Sequence, residues 1–82
     1  GDTPTYMDTE TKRVTGTIER DGCTYRYDAV VFRQVAFGFG GRIGETPWLL
    51  RDHRNLRVLP EIPPDLLVEF MDEVTRRANQ AG

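Results

Sequence analysis

Asp21-Gly22 lies between two stretches in which apolar and polar side chains alternate, and no other feature of the 82-residue chain restricts its fold as much. A two-residue type I′ hairpin loop needs positive φ at both central positions, and Asp-Gly is among the few pairs that tolerate this. With these two residues as the loop, Arg20 faces Cys23, Ile18 faces Tyr25, Gly16 faces Tyr27 and Val14 faces Ala29. All of these share one face, while Thr15, Thr17, Glu19, Thr24, Arg26 and Asp28 share the other. A slip of one residue would exchange the two sets, so the pattern specifies its own register. Gly16 opposite Tyr27 also fits an aromatic ring covering a strand glycine.

The pattern is less regular beyond Ala29. Val30 and Phe32 fall on the face opposite Tyr25 and Tyr27, so the strand either bends there or is covered on both sides. Val35, Phe37 and Phe39 alternate again, as a third strand or a continuation of the second. Gly38, Gly40, Gly41 and Gly44 then interrupt, and residues 40–46 read as a loop. Thr46-Pro47 has the form of a helix start, a hydroxyl cap followed by proline at the first helical position. The reading favoured is a short helical turn over Thr46 to Arg51 and then a strand over Leu56 to Leu59. The alternative is a strand at Trp48 to Leu50 that turns at Asp52 to Asn55 and returns. Pro60, Pro63 and Pro64 force an extended connection. From Pro64 onward Leu66, Leu67, Phe70, Met71, Val74 and Ala78 recur at helical spacing. Asp65, Glu69, Asp72 and Glu73 precede Arg76 and Arg77, the charge order that complements a helix dipole.

A sheet with one apolar face and a helix with one apolar stripe must cover each other. The expected fold class is therefore α+β: an antiparallel sheet of three or four strands packed against the C-terminal helix. Residues 1–11 lack periodicity and read as a flexible N-terminal arm, with Tyr6 and Met7 able to dock elsewhere. Residues 12–80 read as the single domain. A chain of 9.4 kDa buries roughly 63% of its unfolded surface, enough for one thin core. An enclosed ligand pocket would remove much of that core, so a surface site is expected instead.

The single cysteine, Cys23, can make no internal disulfide, and no apolar run reaches the roughly eighteen residues of a membrane span. With no signal-peptide pattern at the start, a cytoplasmic location and no membrane partner are the expectations. Net charge is −2, but residues 11–60 are basic and both ends acidic. Nearly all the cations are arginine, whose planar fork suits carboxylate or phosphate partners.

Signatures of chemistry are weak. Gly38-Phe39-Gly40-Gly41-Arg42-Ile43-Gly44 has Ile43 where a dinucleotide loop needs a small residue, and no Walker Gly-Lys-Ser/Thr follows. Cys23 and His53 are thirty residues apart with nothing to bring them together, and His53 has no neighbours at metal-ligand spacing. Asp72 and Glu73 are adjacent on a helix and so diverge. The sequence thus predicts no catalytic group, no metal and no cofactor. Arginine and aromatic residues together are the usual anchors of protein interfaces. They gather in residues 37–57, so the expected partner-binding residues are Phe37, Phe39, Arg42, Trp48, Arg51, Arg54 and Arg57. The expected function is a non-enzymatic binding or regulatory module acting on a protein partner or on a second copy of itself. A nucleic-acid accessory role through Arg42, Arg51, Arg54 and Arg57 is the alternative, disfavoured by a pI near 5.3, since such modules are usually basic. A small enzyme subunit is the third possibility.

Overall fold

The computed structural model describes residues 5–80. Strand β1 (Tyr6–Arg20) and strand β2 (Cys23–Gly38) form one long antiparallel hairpin, followed by β3 (Gly41–Glu45), a 3-10 turn (His53–Asn55), β4 (Leu56–Leu59) and helix α1 (Pro64–Gln80). The fold is α+β: a four-stranded antiparallel sheet and a C-terminal helix.

The Asp-Gly loop has φ of +54° at Asp21 and +77° at Gly22, the pattern a type I′ turn requires. The register places Arg20, Ile18, Gly16 and Val14 opposite Cys23, Tyr25, Tyr27 and Ala29. A methyl group at Gly16 would lie only 2.7 Å from the Tyr27 hydroxyl and 2.9 Å from its ring. The ring therefore occupies the space the glycine leaves.

The hairpin is longer than its central alternation suggests. Residues 6–11, expected as part of an arm, belong to β1, where Tyr6 to Thr11 pair with Phe37 to Phe32. Polar side chains at both faces hid this, because an edge strand needs no apolar face where the helix does not reach. The portion of the expected arm at residues 1–4 lies outside the described residues. β2 continues to Gly38, so Val35 and Phe37 extend the second strand.

β2 is the axis of the sheet. β1 runs along one side of it, while β4 pairs with Arg26 to Ala29, Leu49 bridges Phe32, and β3 pairs with Val35 to Gly38 on the other side. Residues 41–45, expected as loop, are β3, joined to β2 through a bulge at Ala36/Phe37. The expected helical turn over Thr46 to Arg51 does not form. Thr46 instead donates its N–H to the Gln34 carbonyl (2.9 Å) and accepts the Gln34 N–H on its hydroxyl (2.9 Å). The hydroxyl that would cap a helix is used to satisfy the edge of β2. The short helix falls later, where Asp52 accepts the Arg54 N–H (2.7 Å) and Asn55 accepts the Asp52 N–H (3.3 Å) in a capping box. The strand expected at Leu56 to Leu59 is β4.

Helix α1 lies over one face. Its Phe70, Val74 and Ala78 are buried, and Phe70 and Val74 pack with Ile18, Tyr27, Ala29, Leu56 and Val58. Tyr25 meets the Phe70 ring edge-on at 5.3 Å. Complete burial of a side chain the size of Phe70 contributes about 1.5–3 kcal/mol. Val31 is also buried on the helix face, while Phe32, on the other, lies under the guanidinium of Arg51 at 4.4 Å. The strand is thus covered on both sides at this point. The molecule measures 59 × 22 × 15 Å with a radius of gyration of 16.0 Å, against about 12 Å for a compact chain of this length. The helix covers one end of the hairpin and leaves the other end projecting.

Candidate interaction surfaces

The projecting end is built by glycines. Phe39-Gly40 forms the loop between β2 and β3, flanked by the pair Gly38–Gly41, and Gly40 has φ of +100°. Positive φ at the second loop residue belongs to a type II turn, where only glycine is comfortable. Phe39 holds the first loop position, with its ring directed away from the sheet and 92% exposed. Tyr6, Met7 and Ile43 around it are 64%, 56% and 62% exposed. Phe37 stacks on Tyr6, ring centroids 5.1 Å apart and planes inclined by 18°. On the opposite face Ile43 approaches Gly38, whose missing side chain leaves room for it. A chain of ion pairs forms the base of this tip. Glu10 bonds Arg33 at 2.8 Å and lies 3.8 Å from Arg42, which also bonds Glu45 at 3.2 Å.

Of the residues expected to bind a partner, Phe37, Phe39 and Arg42 are together at this tip. Trp48 is not among them. It is half-buried between the Lys12 ammonium (4.6 Å) and the Arg33 guanidinium (4.3 Å). The Asn79 amide holds its backbone, accepting the Trp48 N–H at 2.7 Å and donating to its carbonyl at 2.9 Å. Trp48 therefore clasps the end of α1 to the sheet. Arg51 and Arg57 lie on the face away from α1, and Arg54 is on the exposed 3-10 turn. The expected set thus divides among separate places rather than forming one patch. Tyr6, Met7 and Ile43 lie outside the expected contacts, because the sequence pattern reads as an arm at the first two and as a loop at the third.

The uncovered face has a character of its own. An open groove of about 430 Å³ is lined by Arg13, Thr15, Thr17, Arg26, Asp28 and Arg57, among others. Asp28 accepts both arms of the Arg13 fork, at 2.8 and 2.6 Å. That bond holds its carboxyl below the ordinary carboxylate range and raises the Arg13 guanidinium further. Arg13 and Arg26 were also missed, although the hairpin register already placed Arg26 and Asp28 on this face.

The geometry gives no reactive constellation among the described residues. Cys23 is next to the hairpin turn, and the Tyr25 hydroxyl is pushed above its ordinary pKa, first by the neighbouring Cys23 thiol and then by burial. His53 precedes Leu56, which pairs with Ala29; six residues of extended strand, roughly 20 Å, separate Ala29 from Cys23. Glu73 is occupied by Arg76 (2.6 Å) and Arg77 (2.7 Å). No group of three or more His, Cys, Asp or Glu among the described residues is arranged to hold a metal ion, and no helix among them is long and apolar enough to cross a membrane. No protein-family model matches the chain, and no curated protein or solved structure matches it either.

Proposed function

We propose that the protein is a non-enzymatic binding module that engages a protein partner through the projecting tip of its long hairpin. One observation carries this reading: Phe39 is 92% exposed at the turn that ends the paired strands β2 and β3, and Tyr6, Met7 and Ile43 are exposed at the same end of the hairpin. Exposed apolar residues scattered singly are ordinary, but four gathered on the two faces and the turn of one projection mark an interaction site. The tip contributes little to folding, since the buried core lies mainly beneath α1 at the other end. Aromatic anchors surrounded by arginine and glutamate reproduce the apolar centre and polar rim of protein interfaces. Phe37, Phe39 and Arg42 supply the contact with Tyr6, Met7 and Ile43, and Trp48 acts indirectly by holding the helix to the sheet. The test is affinity capture from the host lysate with the intact protein, Phe39→Ser and Met7→Ser. A stoichiometric partner retained by the intact protein and lost by both variants supports the reading. Equal recovery by all three rejects it.

A second reading has a specific observation in its favour. Arg13, Arg26, Arg51 and Arg57 share the uncovered face, whereas the acidic helix lies behind the sheet. The carboxylates of α1 therefore face away from this surface, and Asp28, the carboxylate lining the groove, is held by Arg13, which suits a nucleic-acid backbone. Binding of this kind weakens steeply with salt. Absence of binding to single- or double-stranded oligonucleotides at low ionic strength would dismiss it.

A further inference from the structure

Among the described residues, the outer edge of β1 is a long stretch of strand backbone with no strand beside it, and its geometry is defined by the hairpin loop. A two-residue loop is flanked by a narrow hydrogen-bonded pair, here Arg20–Cys23. Even-numbered residues of β1 therefore direct their N–H and C=O groups at β2, and odd-numbered residues direct theirs outward. Bonds elsewhere agree with this parity. On the far side of β2, Phe32 exchanges two bonds with Leu49 (both 2.8 Å), and Gln34 bonds Thr46. On the outer side of β1, Arg77 of α1 reaches around to donate to the Thr17 carbonyl at 2.7 Å. Met7, Thr9, Thr11, Arg13 and Thr15 thus present backbone groups outward, and among the described residues no strand pairs with them. Their side chains are all exposed.

We infer that a second copy of this chain occupies this edge, strand against antiparallel strand, with Thr11 on the twofold axis. Two independent features select that register. The first is the available length: β1 begins at Tyr6, and Arg77 occupies the edge at Thr17, leaving outward groups from Met7 to Thr15 with Thr11 at their centre. The second is charge. Acidic Asp8 and Glu10 precede basic Lys12 and Arg13, so an antiparallel copy meets the opposite sign. With Thr11 on the axis, Glu10 faces Lys12 of the partner copy twice over. Moving the axis to Lys12 or to Arg13 sets like cations opposite each other, and moving it to Glu10 does the same for carboxylates. A shift to Thr9 brings Asp8 against the partner copy's Glu10. Like charges directly opposite are destabilising in a sheet.

The seam is large enough to matter. Each narrow pair exchanges two bonds, so residues 7–15 supply about ten, a typical count for a specific interface. Forming it replaces the local bond by which Asp8 accepts the Thr9 N–H (2.9 Å). Lys12 donates to the Ala78 carbonyl at 3.2 Å and retains two further protons for the partner copy's carboxylate. The contact is isologous and closes on itself, which prevents the edge from recruiting strands indefinitely. It joins the two four-stranded sheets into one and leaves the two Phe39 turns at opposite ends. The proposal does not depend on what the tip binds.

Sedimentation velocity on the full chain over a concentration series from low micromolar upward tests it. A reversible dimer is expected, and Thr11→Pro should raise its dissociation constant about tenfold or more, because both Thr11 N–H donors at the axis are lost. The Thr11 N–H points outward, so this substitution removes no bond within the chain. Cross-linking fixes the register in a Cys23→Ser background. Narrow-pair Cα atoms are about 5.5 Å apart, within disulfide reach. Thr11→Cys should form a covalent dimer on mild oxidation. Thr9→Cys and Arg13→Cys should each fail alone and cross-link when mixed. A chain that stays monomeric throughout, a dimer indifferent to Thr11→Pro, or cross-linking of Thr9→Cys or Arg13→Cys with itself each overturns the assignment.

Discussion

Replacing Gly16 with alanine drives a methyl group into Tyr27. The added carbon would meet the phenol oxygen at 2.7 Å and two ring carbons at 2.9 Å, where carbon atoms ordinarily rest about 3.5–4.0 Å apart. The ring cannot simply swing away, because it is only 7% exposed in the core, with Arg77 5.6 Å from its centroid. Overpacking of this kind costs about 1–3 kcal/mol. Alanine returns about 0.4–1 kcal/mol by restricting the unfolded chain. The net expectation is a loss of about 1–2 kcal/mol, or a melting temperature lower by roughly 6–12 °C for a domain of this size. Thermal and urea unfolding followed by circular dichroism measure it. The same substitution in a Tyr27→Leu background should be neutral or stabilising, since the atoms that clash are gone. A rise in melting temperature for Gly16→Ala in the otherwise unaltered protein would refute the reasoning.

Asn79→Ala removes both bonds to the Trp48 backbone; because Trp48 is the only tryptophan, its fluorescence should shift to the red and become easier to quench with acrylamide. Unchanged emission would mean the clasp is held by the Lys12 and Arg33 contacts alone. Glu73 is held below the ordinary carboxylate range, first by its bond to Arg76 and then by that to Arg77. A lowered folded value stabilises above the unfolded value of about 4.3, and the gain is lost as pH falls through the lowered one. Stability should therefore decline in acid, and Glu73→Gln should be less stable at neutral pH with a shallower acid limb; identical limbs would show that other carboxylates govern the decline. Phe70→Ala empties the centre of the core and should cost about 3–5 kcal/mol in urea unfolding, whereas a cost under about 1 kcal/mol would show that the core does not depend on it.

The parts of the fold legible in the sequence are those where local chemistry and packing demand the same residues. Asp21-Gly22 both permits the turn and sets the register, and the stripe from Leu66 to Ala78 serves both the helix and the core. Legibility fails where a residue is used by a distant partner. Thr46-Pro47 reads as a helix start until Gln34, twelve positions earlier, takes the hydroxyl. Gly40 and Gly41 read as a break, although their positive φ values, +100° and +115°, are what allow β3 to turn back along β2. Residues 6–11 carry no alternation because their strand extends beyond the helix, so nothing selects an apolar face. The tip was half legible for the same reason. Phe37, Phe39 and Arg42 stand out by residue type, but Tyr6 reaches them only through a register that starts at the other end of the hairpin.

In the proposed function the two ends of the hairpin divide the work, the helix-covered end holding the fold and the tip making the contact. Site-specific photo-cross-linking tests it most directly, with a benzophenone side chain placed at position 39, at position 43, or at exposed position 72 on the outer surface of α1. The account predicts one discrete adduct with a host protein from positions 39 and 43 and none from 72, all three proteins melting at the same temperature. Adducts from position 72 alone, or none from the tip at concentrations where the partner is captured, would contradict it.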